Sequence, residues 1–584
     1  MGAFIIVARG RDDRRAADLS SELAARAAGH GMQVSELNSH AWLAVRGPHP
    51  PGHRRIGAWT LIGDVFDRRS PRLPATGVGD LFAYERKLLA RIWGRYVGIR
   101  FGPKGDPEAL LRDPSGALEC ITWVDGGLTV ACSAVEDWLI ERLRPKWRID
   151  PRKVADAIRD PLSGIGPLLL DGPKALLPGV LQPFPLDNPA TPLWSPGDFA
   201  RTSLGPAPSA EQAAQDLRDA VDEAVSGLGG LPGPLACEVS GGLDSSIIAA
   251  GLVHAGCGVG LWLNAYGATP EADERSYVDA LAARLSIART LAPHAAGAAT
   301  QAGLESLSPD FRPGLNGMDR AHDQDWVRRL QAAGMTALMT GRGGDSILFN
   351  RAGANIFVDE WLRRPWKALW SPDMAELATA NEVSIWTFLS RAFAYRKTGP
   401  TRPRRRHPVL TSPDAPLPLH PWIEDWTRFG PAKAAHVAGV IDNVARHGPS
   451  TLTDAVDVRN PLCAQPVIEA CLSLPTSVLT LGGRERGLAR RAFSDRLPAQ
   501  ILDRRSKGDM TRVYGRFIFD SLPVLRPWLI EGRLAAMGII DPIAAEACLT
   551  RESLAWHGAY TPIMVAAAFE SWVRAWERRL APSP

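Results

Sequence analysis

An excess of charge of either sign is nearly absent from this sequence. Its 584 residues include 67 lysines and arginines and 63 aspartates and glutamates, which leaves a formal net charge of +4. Nucleic-acid-binding proteins need a clustered basic surface to neutralise phosphates. The composition gives no support for such a surface, and we expect no nucleic-acid partner.

Cysteine is scarce, and the seven cysteines form neither a CxxC pair nor another metal-binding spacing. That pattern is typical of a reduced compartment, where disulfides are rare. The N-terminal apolar stretch, residues 3–8, is short and is followed directly by charged residues. The longest mostly apolar stretch, residues 247–268, is interrupted by His254, Asn264 and glycines. These features argue against a signal peptide and a membrane span. We therefore expect a cytoplasmic protein with no membrane partner.

The length predicts more than one domain. Residues up to about 180 alternate short apolar runs with Gly, Pro and Asp turns, which favours strands. Prolines crowd together between about 181 and 210, as in a linker or an extended crossing segment. From Ser209 onward, Ala-rich helical patterns alternate with short strands, which indicates a parallel α/β sheet. We predict two domains, 1–205 and 206–584.

The C-terminal part is predicted to be mostly helical. Its clearest helix is expected to have Thr561 as N-cap and Pro562 at the first position. An apolar stripe follows at helical spacing and is expected to pack in the core: Val565, Phe569, Trp572 and Trp576. A basic, proline-rich run at residues 402–408 interrupts the helical region, and we expect a solvated loop or a contact for an acidic partner.

A glycine- and hydroxyl-rich run lies between an apolar strand and an Ala-rich helix: Ser240, Gly241, Gly242, Leu243, Asp244, Ser245 and Ser246. Free backbone N–H groups and the helix dipole at such a junction favour anions. The two glycines let the backbone approach a phosphate, and the serine hydroxyls can donate hydrogen bonds. An acid among phosphates needs a metal between them, so Asp244 is predicted to bind Mg²⁺.

No lysine follows these glycines, so the run is not the GxxxxGK[ST] loop of kinase-like proteins. Its absence points to cleavage of a different phosphate bond. The letters SGGLDSS resemble the pyrophosphate loop of the N-type ATP pyrophosphatases. That resemblance implies release of pyrophosphate and an adenylated substrate.

A second loop of this kind, residues 340–346, follows another apolar strand about one hundred residues later. Its glycines and its acid are predicted to complete the phosphate site: Gly341, Gly343, Gly344 and Asp345. Ligands bind beyond the carboxyl ends of the strands in an open α/β sheet, so both loops can face one crevice. Asp244 and Asp345 could then hold Mg²⁺ between them.

The two loops together resemble the synthetase domain of the asparagine synthetase B group, which includes β-lactam synthetases and lasso peptide macrocyclases. Further similar stretches lie along nearly the whole chain, at residues 61–64, 93–97, 112–116, 177–179, 273–277, 459–462 and 497–501. The resemblance implies an α/β protein: an N-terminal, glutaminase-like α+β domain of the Ntn-hydrolase type, then an adenine-nucleotide α-hydrolase-like synthetase domain with a helical C-terminal part. It also implies ATP and Mg²⁺ as cofactors.

The chain departs from this group at the glutaminase nucleophile. Gly2 stands where a glutaminase of this type needs cysteine, and no cysteine precedes Cys120. Without that thiolate, glutamine hydrolysis is chemically implausible, and we expect the first domain to be inactive. The nucleophile is then expected to be an amine carried by the substrate, although free ammonia could serve.

The catalytic candidates are Arg342 and Lys507. Arg342 stands where the resemblance places Glu in asparagine synthetases and Tyr in β-lactam synthetases, and an arginine is a poor general base. It could bind phosphate or form a salt bridge. Lys507 resembles the lysine that neutralises charge at the adenylate, and we prefer it to Arg504 and Arg505. Ala464 replaces an Asp that is frequent in relatives.

The leading hypothesis is a lasso peptide macrocyclase that adenylates an Asp or Glu side chain of a precursor peptide and joins it to the N-terminal amine. This hypothesis implies a precursor peptide, a leader peptidase and a leader-binding protein as partners. The alternatives are a β-lactam-type or other small-molecule amide synthetase, an ammonia-dependent asparagine synthetase, and a non-catalytic scaffold that binds nucleotide.

Overall fold

The computed structural model describes residues 1–10, 13–70, 82–160, 166–267, 269, 272–398, 407–411, 417, 419–445, 447–504 and 511–581. Its N-terminal half is rich in strands. They are β1 (Ala3–Arg9), β2 (Gln33–Asn38), β3 (Ala41–Arg46), β4 (His53–Ile56), β5 (Trp59–Asp67), β6 (Ile92–Phe101), β7 (Pro107–Arg112), β8 (Ile121–Asp125), β9 (Leu128–Cys132), β10 (Arg148–Ile149), β11 (Leu170–Asp171), β12 (Lys174–Ala175), β13 (Val180–Pro183) and β14 (Thr191–Pro192). The helices of this half are α1 (Arg14–Gly29), α2 (Ala83–Arg91), α3 (Asp137–Leu143), α4 (Pro151–Arg159) and α5 (Pro196–Thr202).

Two antiparallel sheets dominate this half, in the orders β12-β8-β9-β1-β3-β2 and β14-β13-β7-β6-β5-β4. Alternate residues of a strand point to opposite faces, and β1 shows the consequence. Phe4 and Ile6 pack with Val97 of β6 in a core between the sheets. Ile5 and Val7 belong instead to the core that contains helix α1.

The C-terminal half contains a parallel sheet in the order β17-β16-β15-β18-β19. Its strands are β15 (Leu235–Glu238), β16 (Val259–Tyr266), β17 (Arg289–Pro293), β18 (Ala337–Met339) and β19 (Asp457–Arg459). Parallel strands end at one edge of a sheet, and β15 and β18 are direct neighbours. The segments that follow these two strands therefore lie side by side.

Helices make up most of the remaining C-terminal half. They are α6 (Ala210–Gly229), α7 (Leu243–His254), α8 (Arg275–Leu285), α9 (Gln301–Glu305), α10 (Arg320–Ala332), α11 (Gly344–Ile347), α12 (Asn355–Arg363), α13 (Pro372–Ala380), α14 (Ile385–Thr398), α15 (Pro431–Ala445), α16 (Thr451–Ala455), α17 (Gln465–Ser473), α18 (Thr476–Leu479), α19 (Gly487–Ala492), α20 (Ala499–Leu502), α21 (Thr511–Ile530), α22 (Arg533–Ala536), α23 (Pro542–Cys548), α24 (Arg551–His557) and α25 (Tyr560–Leu580). None of the helices in the described residues is both long enough and apolar enough to cross a membrane.

Helix α25 corrects one sequence prediction. Its N-cap is Ala559, so Thr561 lies inside the first turn and the predicted cap was wrong. The ring of Tyr560 packs edge-on against Phe519 of α21, 6.1 Å between centroids, and this contact accompanies the earlier start. The predicted apolar stripe is confirmed as core: Val565, Phe569, Trp572 and Trp576.

The two halves are joined by a shared core and by buried polar contacts. Trp59 and Leu61 of β5 belong to the same apolar cluster as Val221 of α6. Glu469 of α17 accepts hydrogen bonds from Arg68 Nη1 at 2.6 Å and from Trp194 Nε1 at 2.8 Å. Because Trp194 follows β14 and is itself buried, the proline-rich crossing segment is built into the interface. The basic run at 402–406 lies outside the described residues.

Candidate active site

The first glycine-rich loop joins β15 to α7. Gly241 has a φ of +74°, in the left-handed region that favours glycine. A Cβ atom at this position would lie 2.9 Å from the Cβ of Tyr277. Gly242 is the N-cap of α7, a helix of 12 residues. The loop therefore lies at the positive end of a helix dipole, as an anion site requires.

The hydroxyl groups of this loop hold its shape. Ser240 donates its backbone N–H to Ser245 Oγ at 3.1 Å, and the two hydroxyl oxygens lie 3.0 Å apart. Ser246 Oγ donates to the carbonyl of Gly242 at 2.7 Å. Leu243 lies in the apolar core, so only its backbone belongs to the loop surface.

The second loop joins β18 to the short helix α11 and packs directly against the first. A Cβ atom on Gly341 would lie 2.4 Å from the backbone N of Ser245, and one on Gly344 would lie 2.3 Å from Cγ of Asp244. Gly343 has a φ of +89°. The sequence placed both loops at one edge of the sheet, and the structure brings them into contact.

Arg486 links the two predicted metal-binding residues. Its Nη1 donates to Asp244 Oδ2 at 2.9 Å and to Asp345 Oδ1 at 2.6 Å. Arg486 immediately precedes α19 with a φ of +55°, and its backbone N–H donates to Phe349 O at 3.1 Å. Sequence reasoning did not identify this residue. The only available signal was the density of arginines at positions 484–491.

The donor set at this position fits Mg²⁺. The two carboxylates contact the same guanidinium nitrogen, so they are close enough to share one cation. Mg²⁺ prefers hard oxygen ligands and usually takes one or two carboxylates together with phosphate oxygens. Asp244 and Asp345 are therefore suited to a metal that arrives with a nucleotide.

Further cations surround the paired loops. Arg504 Nη1 donates to the carbonyl of Gly241 at 3.3 Å, and its guanidinium stacks 4.0 Å from the ring centre of Tyr277. Burial, aided by the charges of Arg484 and Arg486, lowers the pKa of Arg490 to about 10. That side chain remains charged at neutral pH. Lys507, the predicted catalytic lysine, lies outside the described residues.

Arg342 lines a cavity of about 680 Å³ between the two halves. Its backbone N–H donates to Thr340 Oγ1 at 3.1 Å, and Cys463 Sγ donates to its carbonyl at 3.5 Å. Burial raises the pKa of the Cys463 thiol to about 12, so this thiol stays protonated. Ala464 also lines the cavity.

Gly2 lies on the N-terminal side of the same cavity. A Cβ atom there would lie 1.9 Å from the carbonyl oxygen of Arg46, so the backbone leaves no room for a side chain. Burial raises the pKa of Cys120 to about 12 and also raises the pKa of Cys132. A thiolate nucleophile at these positions is disfavoured.

The family model for asparagine synthase matches residues 216–574, which is more than half of the chain and includes both glycine-rich loops. A search of curated proteins finds no match.

Proposed function

The chain belongs to the asparagine synthase family, whose chemistry is ATP-dependent amide bond formation, and we propose that this member is a lasso peptide macrocyclase. In the proposed reaction, an Asp or Glu side-chain carboxylate of a precursor peptide attacks the α-phosphorus of ATP and displaces pyrophosphate. The N-terminal amine of the peptide then attacks the acyl adenylate. An isopeptide bond forms, AMP leaves, and the peptide has lost one water overall.

One observation carries the proposal: two glycine-rich loops that contact each other occur in a protein whose position 2 has no room for a side chain. An amidotransferase of this type would need a nucleophile there to release ammonia from glutamine. The buried, protonated thiols of Cys120 and Cys132 do not replace it. The amine is therefore supplied by a substrate, and in a macrocyclase it belongs to the peptide itself.

The size of the interdomain cavity also favours a large acceptor. A water molecule, which is similar in size to ammonia, takes up about 30 Å³ of the liquid. The cavity of about 680 Å³ falls in the range of roughly 300–1,000 Å³ typical of sites for larger ligands. Arg342 of the second loop lines this cavity, and we propose that an acceptor held there reaches the adenylate.

The phosphate end of the site is suited to the departing pyrophosphate. Backbone N–H groups at the start of α7, together with Arg486 and Arg504, provide positive charge where charge develops on the leaving group. Asp244 and Asp345 would hold Mg²⁺, which would neutralise the phosphates. Holding both reactants in one site can remove about 7–11 kcal/mol of the barrier. Lys507 is proposed to stabilise the adenylate.

The test is a product analysis by mass spectrometry with Mg-ATP. Leaderless peptides that begin with Gly and carry Asp or Glu eight or nine residues from that terminus are compared with aspartate plus ammonia. Peptide-dependent AMP and a peptide lighter by one water support the proposal. Asparagine would assign an ammonia-dependent synthetase, and AMP with other small amino acid derivatives would assign a β-lactam-type or other amide synthetase.

The proposal extends to partner proteins. A macrocyclase acts on a precursor whose leader is removed, so we propose a leader peptidase and a leader-binding protein as partners. Asp244→Asn, which loses a carboxylate charge at the paired loops, is the control for the activity itself and should strongly lower peptide-dependent AMP formation. Unchanged AMP formation in that variant would contradict the proposal that the protein is an enzyme. The remaining alternative would be a non-catalytic scaffold that binds nucleotide.

A further inference from the structure

Helix α15 carries a lysine and a histidine that are both buried. Lys433 and His436 are each 1 % exposed. Lysine is almost never fully buried unless it is paired, because taking an ammonium group out of water costs free energy. The proposed reaction uses neither side chain. The pair therefore calls for an explanation, and its hydrogen bonds lead to the second glycine-rich loop, residues 340–346.

The two side chains form a chain of hydrogen bonds that ends behind this loop. Lys433 Nζ donates to the carbonyl of Leu474 at 2.6 Å and lies 3.3 Å from His436 Nδ1. His436 Nε2 lies 2.8 Å from the carbonyl oxygen of Ile347, the last residue of α11. A carbonyl oxygen can only accept, so Nε2 carries the proton and Nδ1 accepts from Lys433.

This arrangement does not depend on the charge of the lysine. Burial lowers the pKa of Lys433, and the negative charge of Asp359 opposes that shift. An ammonium group has three N–H donors and a neutral amine has two, so either form can donate to both Leu474 and His436. Burial and the nearby Lys433 hold the pKa of His436 well below its usual range. The imidazole is therefore neutral and keeps one tautomer at neutral pH.

Helix α11 needs an external partner at its end. It has only four residues, Gly344–Ile347, and so short a helix is not stable by itself. The last carbonyls of a helix have no partner within it. The backbone N–H of Asn350 donates to the carbonyl of Asp345 at 2.9 Å, and His436 donates to that of Ile347. Because Asp345 lies in this one turn, the imidazole helps to fix where its carboxylate lies.

The same imidazole also contacts the residue that holds Arg486. Its ring packs against Phe349, with 5.2 Å between the ring centres. The carbonyl of Phe349 accepts the backbone N–H of Arg486 at 3.1 Å. Phe349 has a φ of +65°, a conformation that a bulky residue keeps only where its surroundings fix it. His436 thus supports both Asp345 and the arginine that bonds to Asp244 and Asp345.

We propose that His436 is a positioning residue for the metal site formed by Asp244 and Asp345, and that Lys433 fixes the orientation of its imidazole. Removing a group that orients a metal-binding residue typically costs 10–100-fold in metal affinity or activity. His436 acts through the backbone of α11, so we expect the lower end of this range. The inference rests on the proposed function, because it takes the two carboxylates as the metal site of Mg-ATP, but it does not depend on the acceptor.

The test measures metal binding without a reaction. Mn²⁺ replaces Mg²⁺ as the probe, since both prefer carboxylate and water oxygens. An ATP analogue with a methylene group between the α- and β-phosphorus atoms prevents turnover. The relaxation of water protons by Mn²⁺ distinguishes the ion in the protein complex from the ion on the free analogue, and it gives the Kd of the metal. Calorimetry in EDTA gives the Kd of the analogue without metal.

Substitutions separate the hydrogen bonds from the packing. His436→Phe keeps a ring against Phe349 but removes both hydrogen bonds, and the Kd of Mn²⁺ should rise on the order of tenfold. His436→Gln keeps one donor and one acceptor, so it should restore most of the affinity. Lys433→Met loses one hydrogen bond to the ring, and the Kd of Mn²⁺ should rise by about two- to fivefold. The Kd of the metal-free analogue should stay unchanged in all three variants.

His420 provides the matched control. It is also buried. Its Nδ1 accepts a hydrogen bond from the backbone N–H of Trp422 at 3.1 Å, a contact within its own turn. His420→Phe should lower the free energy of unfolding without changing the Kd of Mn²⁺. Equal rises of this Kd in His420→Phe and His436→Phe would overturn the assignment.

An unchanged Kd of Mn²⁺ in His436→Phe would overturn the proposal, and so would an equal loss of metal-free analogue binding. If His436→Phe does not fold, Lys433→Met decides in the same assay, and an unchanged Kd there would overturn the proposal. Absence of Mn²⁺ binding by the unaltered protein with the analogue bound would remove the metal site and the role of His436 with it. Absence of cyclised peptide would instead overturn the macrocyclase alone, since no peptide enters the binding assay.

Discussion

The paired loops, residues 240–246 and 340–346, and the interdomain cavity are the two ends of one site under the proposed function, and they are built in opposite ways. The loops depend on side chains that are missing, since Gly341 and Gly344 allow the two backbones to touch. The cavity depends on side chains supplied by both halves, such as Arg112 and Arg342. Under the proposed function, adenylation belongs to the loops and amide formation to the cavity, so we expect substitutions to impair the two steps separately.

Substitution of Asp244, in the first loop, is expected to have the largest effect on activity. Peptide-dependent exchange of pyrophosphate into ATP reports adenylation. In Asp244→Asn, the rate of this exchange and the rate of product formation should both fall on the order of 10²–10³-fold, because a charge that positions the phosphates is lost. Asp345→Asn should cost less, since that side chain is 39 % exposed and Asp244 is only 10 % exposed. Steady-state rates with Mg-ATP check both variants. Exchange that survives in Asp244→Asn would show that adenylation does not depend on the loops.

The contact between the loops can be tested with two glycines. Gly341→Ala should destabilise the protein by about 1–3 kcal/mol, since its Cβ would lie 2.4 Å from the backbone of Ser245. Gly242→Ala is the matched control, because its nearest neighbour is the flexible hydroxyl of Ser240 at 3.4 Å. Chemical denaturation gives the free energy of unfolding for each. Similar values for the two variants would contradict the close approach of the loops.

The cavity end can be narrowed at Gly448. A Cβ atom there meets nothing within 4 Å, and the residue lines the cavity. Gly448→Trp should reduce cyclised peptide on the order of tenfold, because displacing the acceptor from its reacting geometry costs rate steeply, while exchange persists. Gly258→Trp, at an exposed turn that also meets nothing within 4 Å, should change neither readout. A parallel fall in exchange would contradict the separation of the two ends.

The smallest expected effect concerns Arg504, which lies beside the first loop. Arg504→Lys keeps the charge beside Gly241 but loses the stacking on Tyr277, which is worth about 0.5–1 kcal/mol. The KM for ATP in the exchange assay should rise by about two- to fivefold. Arg275→Lys is a suitable control, since Arg275 stacks on Tyr266 at the surface, 4.4 Å from the ring centre. An equal rise in the KM for ATP in Arg504→Lys and Arg275→Lys would rule out a specific role for Arg504.

The loop end could be predicted from the sequence because its constraints lie in consecutive residues. The sequence predicts glycines at a strand end and an acid at a helix start, and the structure has both loops at those places. Short apolar runs between turn signals predict strands at 235–239, 259–265 and 336–340. Strands β15, β16 and β18 begin and end within about one residue of these bounds. The mutual contact of the loops then follows from parallel pairing of β15 with β18.

The rest of the site could not be predicted in this way. Arg486 reaches Asp244 across 242 positions of sequence and adopts a left-handed backbone conformation without being glycine. Helix α25 begins at Tyr560 rather than after Thr561, where local capping rules placed it, in a region packed against α21. Tertiary packing decided each of these features.

The measurement that tests the account most directly follows a labelled oxygen. A leaderless peptide carries heavy oxygen in the side-chain carboxylate of its Asp or Glu, and AMP is analysed after one round of cyclisation with Mg-ATP. If the paired loops hold pyrophosphate as the leaving group, the carboxylate attacks the α-phosphorus, and AMP retains one labelled oxygen when the amine displaces it. Labelled orthophosphate together with ADP would show attack at the γ-phosphorus and would contradict the account.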